Sequence, residues 1–198
     1  MYPEHYKAFS QNIAFAARIL HYYLHMGAMA KYSSAEYHAL NHNARFWNDF
    51  NYMALQTVVI FLGKIFDNDS GAFKVHSLFK TINAAFKDIA HFSKEALRYR
   101  KIALAAEFEG LDEYVAEAHE LSKDDLKAIK TKLKRARAIW VKIEPLRNKI
   151  YAHHEILAEA QRLALFQKVT YNELEELVQI LLNVSDALEQ AEINGRKP

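Results

Sequence analysis

Apolar residues return every three or four positions along most of the chain, the spacing that lines one face of an α-helix. Ile13, Ala16, Ala17, Leu20, Leu24 and Met29 predict a first helix over residues 4–29. Ser33 followed by Glu36 has the form of a capping box. It opens a second, more hydrophobic helix over 34–66, with a break near Asn41-His42-Asn43. The expected buried side of that helix carries Phe46, Phe50, Met53, Ala54, Thr57, Val58, Phe61 and Ile65. Val58-Val59-Ile60-Phe61 could pass for a strand, but the long helical pattern before it decides for helix.

DNDSG, residues 67–71, is a loop by composition. One or two short helices are expected over 73–103, with Ser93 as an N-cap, and another short one runs to about His119. Ser122 followed by Asp124 and Asp125 is a good helix start. This helix should reach about His154, kinked at Pro145, which lacks a backbone donor. Residues 156–168 continue it after a bend. Thr170 with Glu173 forms another capping box and opens a last helix over 171–191. No repeat, low-complexity tract or linker interrupts the pattern. The fold expected is all-α: one helical bundle of about five to seven helices over 1–193, with a frayed tail at 194–198.

Composition agrees. Of 198 residues only 5 are Gly and 3 Pro, so few positions break regular structure. The absence of Cys excludes disulfides and thiolate metal sites and fits a reducing cytoplasm. The N-terminal residues lack the layout of a signal peptide. The longest apolar run, Met53 to Gly63, is too short to span a bilayer. A soluble, cytoplasmic protein with no membrane partner is expected.

Charge changes the picture more. The net charge is +2, yet Lys123 to Lys149 holds ten Lys and Arg against Asp124, Asp125 and Glu144, which is +7 and leaves −5 for the rest. A solvated helix face explains such a run, and so does attraction to RNA. The run ends in RNKIYAHHE, residues 147–155. In the helix before it, Leu126, Ile129, Leu133, Ala136, Trp140 and Ile143 form an apolar seam, and the same alternation continues to Arg147, Ile150 and His154. A guanidinium on a buried seam is costly unless paired. Arg147 should therefore meet an anion, a partner subunit or a ligand; the competing reading is a structural ion pair, with Glu144 or a carboxylate on another helix. On an ideal helix His154 lies about 20° around from Arg147, and His153 about 120°. His153 joins Arg147 only through a distorted helix or a site shared between chains. Tyr151, four residues on, shares the side of Arg147.

Arg147-Asn148, a short spacer and His153 resemble the signature of the HEPN superfamily. Together with FLGKIFDNDSG, residues 61–71, they are similar to its AbiU-like branch, linked to abortive phage infection. The resemblance implies an all-α bundle that forms a homodimer, with two Arg–His pairs lining one cleft, and a metal-independent endoribonuclease. Arg147 would then hold the scissile phosphate, and His153 would act as general acid or base. Asn148 would orient the pair or donate to phosphate. His153 matches the branch better, following Ala152 after Arg-Asn; His154 stays open on the seam geometry. His154, Tyr151, Lys149 and Lys142 are the expected substrate contacts. RNA is the expected partner, with an antitoxin or other defence protein as a second. Some family toxins carry a Tyr two residues after the His that a partner enzyme modifies; Glu155 stands there, so that regulation is not expected. Other members lack nuclease activity, which keeps a non-catalytic RNA-, nucleotide- or protein-binding module as the alternative.

No cofactor is implied. His21/His25 and His38/His42 have the i, i+4 spacing of helical metal ligands, but no ExxH or HExxH accompanies them. Packing or interface roles are expected instead.

Overall fold

The computed structural model describes residues 2–32, 34–66, 78–104, 109–152, 156 and 158–198. Among them the chain forms nine α-helices, one 3-10 turn and one π-helical segment. The α-helices are α1 (Tyr2–Tyr32), α2 (Ser34–His42), α3 (Ala44–Phe66), α4 (Leu78–Lys87), α5 (Lys94–Ala103), α6 (Leu111–Glu117), α7 (Lys123–Leu146), α8 (Glu159–Phe166) and α9 (Tyr171–Asn194). Ile89–Phe92 is the 3-10 turn, and Arg147–Ala152 is the π segment. The number exceeds five to seven because long helical stretches are cut at turns: Asn43 separates α2 from α3, and the 3-10 turn separates α4 from α5.

The caps fall where the side chains put them. Ser93 Oγ accepts from the Ala96 amide and starts α5. Ser122 and Asp125 close a reciprocal box on α7, and Thr170 and Glu173 do the same on α9. The Ser33–Glu36 pattern and the 67–71 loop lie outside the described residues.

The core is one cluster. Phe9, Ile13 and Leu20 of α1, Val58, Leu62 and Ile65 of α3, the α7 seam, and Leu177, Leu181 and Leu188 of α9 meet in it. The α7 seam is buried as expected from Leu126 to Ile143, joined by Ile139 and Leu146. Two expectations for α3 fail: Phe46 is 51% and Met53 54% exposed. Burial along α3 starts only at Ala54, so its first turns project past the cluster.

Helices α7 and α9 run antiparallel. At one end Lys142 pairs with Glu173, and Arg135 grips Glu176 through Nε (2.8 Å) and Nη2 (2.6 Å). At the other, the His119 amide donates to the Gly195 carbonyl across 2.7 Å, and His119 Nε2 lies 2.8 Å from Asp125 Oδ2. Gly195 is buried at φ +57°, the left-handed conformation of a helix C-cap, so the tail is anchored where it begins.

Candidate functional site

Pro145 shapes the site. It cannot donate to the carbonyl one turn back, and its ring crowds that carbonyl. α-Helical geometry persists only to Leu146, and the chain then widens into the π segment. A π-turn inserted in a helix is rare and recurs at functional sites. Here it begins at Arg147.

Helix α3 supplies the wall for this segment. The side chain of Arg147, half-buried, lies against Gly63: a Cβ there would stand 2.9 Å from Arg147 Nε and 3.3 Å from Cδ and Cγ. Gln56 Nε2 donates to the Tyr151 carbonyl at 3.4 Å, and the Tyr52 and Tyr151 rings lie 5.7 Å apart. Tyr52, Gln56 and Gly63 lie on one stripe of α3, which meets the π segment at Tyr151 and Arg147. Arg147 Nη1 donates to Asn148 Oδ1 across 3.0 Å. The amide thereby orients the cation.

The predicted site residues fall into three groups. Arg147 and Asn148 are together and half-buried, and Lys149 is exposed beside them. Tyr151 is buried, 3% exposed, and its ring faces Tyr52 and Phe166. Burial pushes its phenol well above the usual range. Lys142 is engaged by Glu173, whose carboxyl is held below its usual range by the bond from Lys142. His153, His154 and Glu155 lie outside the described residues. The 20° separation that favoured His154 assumed an α-helix, and the π segment removes that assumption. Gly63 and Gln56 escaped the sequence reading as site residues. A Gly inside a hydrophobic helix and a Gln in an apolar run were the available signals.

The basic run is partly neutralised within the fold. Besides Arg135 and Lys142, Lys127 pairs with Asp124 at 2.8 Å, and Lys130 sits over the Phe86 ring. Lys132, Lys134 and Arg137 remain on exposed positions of α7.

His21 and His25 stack at 5.9 Å along a groove between α1 and α9 that Glu175 and Gln179 also line. Among the described residues no three or more His, Asp or Glu gather as a metal would require. No described helix is long and apolar enough to cross a membrane.

The described residues define the class of protein: an all-α bundle whose basic helix gives way to a π-turn at a half-buried Arg-Asn pair. A family model described as HEPN_AbiU2 (AbiU2) matches residues 3–194, and the chain belongs to this HEPN family. No curated protein and no solved structure matches the chain significantly.

Proposed function

We propose that the protein is a metal-independent endoribonuclease of the HEPN type, acting as a homodimer in phage defence or as a toxin. The observation that carries this reading is the Arg147–Asn148 pair, packed against Gly63 at the head of the π segment, with His153-His154 next in the sequence after that segment. In this reading Arg147 holds the scissile phosphate and stabilises the added negative charge as the phosphorus becomes five-coordinate. His153 removes the proton of the adjacent 2′-hydroxyl, or delivers one to the departing 5′-oxygen. The 2′-oxygen–phosphorus bond forms, the phosphorus–5′-oxygen bond breaks, and the products are a 2′,3′-cyclic phosphate and a 5′-hydroxyl. Each step needs only a cation and a proton carrier.

Support for a second copy comes from the projecting edge of α3. Phe46, Tyr52 and Met53 are exposed there, close to the π segment through the Tyr52–Tyr151 contact. Large apolar side chains grouped on a surface mark an interaction site.

The test is cleavage of single-stranded RNA by purified protein with chelator present. Arg147→Ala and His153→Ala should each abolish it. Cleavage that survives both changes removes the proposal. RNA binding that Arg147→Ala weakens, with no product formed by the native chain, favours the alternative of a non-catalytic binding module.

A further inference from the structure

Helix α7 carries cations on two flanks, and their surroundings differ. Toward α9, Arg135 and Lys142 are matched by Glu176 and Glu173. Toward α4, Lys127, Lys130, Lys134 and Arg137 follow one another at three- and four-residue steps, all exposed. Lys127 pairs with Asp124. The other three meet no carboxylate at ion-pair distance among the described residues. Helix α4 contains no acid. It adds Lys87 to this face, one turn beyond Asn83 and next to Asp88 in the sequence. Like charges three and four residues apart repel on a helix, so this flank is held together without internal compensation.

Two of these cations are also fixed in place. Lys130 Nζ lies 4.5 Å from the centroid of the Phe86 ring and donates to Asn83 Oδ1 at 3.3 Å. The Arg137 guanidinium carbon lies 5.8 Å from the centroid of Phe79. The pairs are seven residues apart on both helices and form two rungs roughly 10 Å apart. The cations thus cover the rings, and along described residues 78–87 and 123–140 no large apolar side chain is exposed. That composition selects the partner. Protein interfaces have an apolar centre and are poor in Lys. Single-strand binders that stack bases offer open aromatic faces. Membrane-surface helices present bulky apolar groups to the lipid. A nucleic-acid backbone asks only for cations and donors at its phosphates.

We propose that the α4–α7 face is a docking surface for the phosphate backbone of a nucleic acid, contacted without base stacking through Lys130, Lys134 and Arg137, with Lys87 at its edge. It is separate from the Arg147 site: Arg137 precedes Arg147 by ten residues, roughly 15 Å along a helix, and exposed Glu144 stands between them. It does not rest on the ribonuclease reading.

Fluorescence anisotropy tests it on the full chain with three labelled strands of equal length: RNA, DNA of the same sequence, and an abasic deoxyribose-phosphate strand. All three should bind, the abasic one within about threefold of the others, since the contact is to phosphate. Lys134→Gln and Arg137→Gln should each lower affinity about fivefold at about 0.1 M salt and reduce the slope of log K against log salt by about 0.7, one phosphate contact fewer. Arg135→Gln, whose charge Glu176 already neutralises, should leave the slope unchanged. Arg147→Ala should still bind the abasic strand. The proposal is overturned by no binding of any strand at low salt, by an abasic strand that fails where RNA binds, by slopes that Lys134→Gln and Arg137→Gln both leave intact, or by loss of abasic binding in Arg147→Ala. Tighter binding of polyglutamate or of phosphatidylserine vesicles than of any strand also overturns it, in favour of an acidic protein or a lipid surface. Unfolding curves establish that each variant is folded, and Lys134→Gln carries the decision should Arg137→Gln disturb the packing on Phe79.

Discussion

The Cα of Gly63 and the side chain of Arg147 occupy one notch: a methyl group at 63 would come within 2.9 Å of the guanidinium Nε. Gly63 sits inside α3, where Ala is favoured by about 1 kcal/mol. That gain is offset by the overpacking against the Arg147 side chain, about 1–3 kcal/mol, so Gly63→Ala should leave the melting temperature unchanged or lower while displacing Arg147. RNA cleavage should fall at least tenfold. Paired thermal melts and cleavage assays check this; full activity in a folded G63A protein would mean that the notch does not position the cation.

Asn148 accepts from Arg147 Nη1. Asn148→Ala removes one acceptor that orients the guanidinium, so kcat/KM should drop about tenfold, equivalent to about 1.4 kcal/mol of transition-state stabilisation. Asn148→Asp retains an acceptor and should keep Arg147 oriented, but its charge should weaken RNA binding. A loss in N148A that appears only in KM would assign Asn148 to substrate binding alone.

Glu176 masks Arg135 on the basic face of α7. If that face recruits RNA, Glu176→Gln should raise affinity for single-stranded RNA severalfold. It should also steepen the salt dependence of log K by about 0.7 for one freed cation. Filter binding at several salt concentrations reads both, and an unchanged slope places the RNA elsewhere.

Acid stability should depend on the α7 cap. Burial pushes the Asp125 carboxyl up, but hydrogen bonds from the Ser122 hydroxyl and amide and from His119 outweigh it and hold the group at about 2. The folded value is below the unfolded one, so the unfolded chain binds more protons between about pH 4 and pH 2. The cap's contribution, about 1–2 kcal/mol, is full above that window and lost as pH falls through it. Urea titrations at pH 5, 3 and 2 should show a smaller acid loss for Asp125→Asn than for the native chain.

Tyr2, like Tyr151, buries its phenol. Its hydroxyl is fully buried and without a partner among the described residues. Tyr2→Phe removes a desolvated donor and keeps the ring packed on Phe92 at 4.8 Å. Stability should rise by about 1 kcal/mol, read as a higher urea midpoint at unchanged slope.

Helix periodicity and caps made most of the fold legible in the sequence. The starts at Ser93, Ser122 and Thr170, the break at Asn43 and the seam from Leu126 to Ile143 all follow from side chains acting within one or two turns. Phe46 and Met53 were misplaced because spacing shows which residues share a face, not whether another helix reaches that face. The site was half legible. A cation on an apolar seam exposed Arg147, but the π-turn after Pro145 was read only as a kink, since a proline disturbs a helix in several ways. Gly63 stood out only as a glycine inside a hydrophobic helix, because the side chain it packs against belongs to a chain segment more than eighty positions away.

The two fastenings between α7 and α9 have a mechanical consequence. One grips where α9 begins and the other where it finishes, so these two rods cannot slide or pivot past each other without breaking one set of bonds. Displacement near the end of α7 is then expected in the short wound-out stretch beyond Leu146. A spin label at Lys149 should report that displacement, and a pair of labels on the two rods should stay silent.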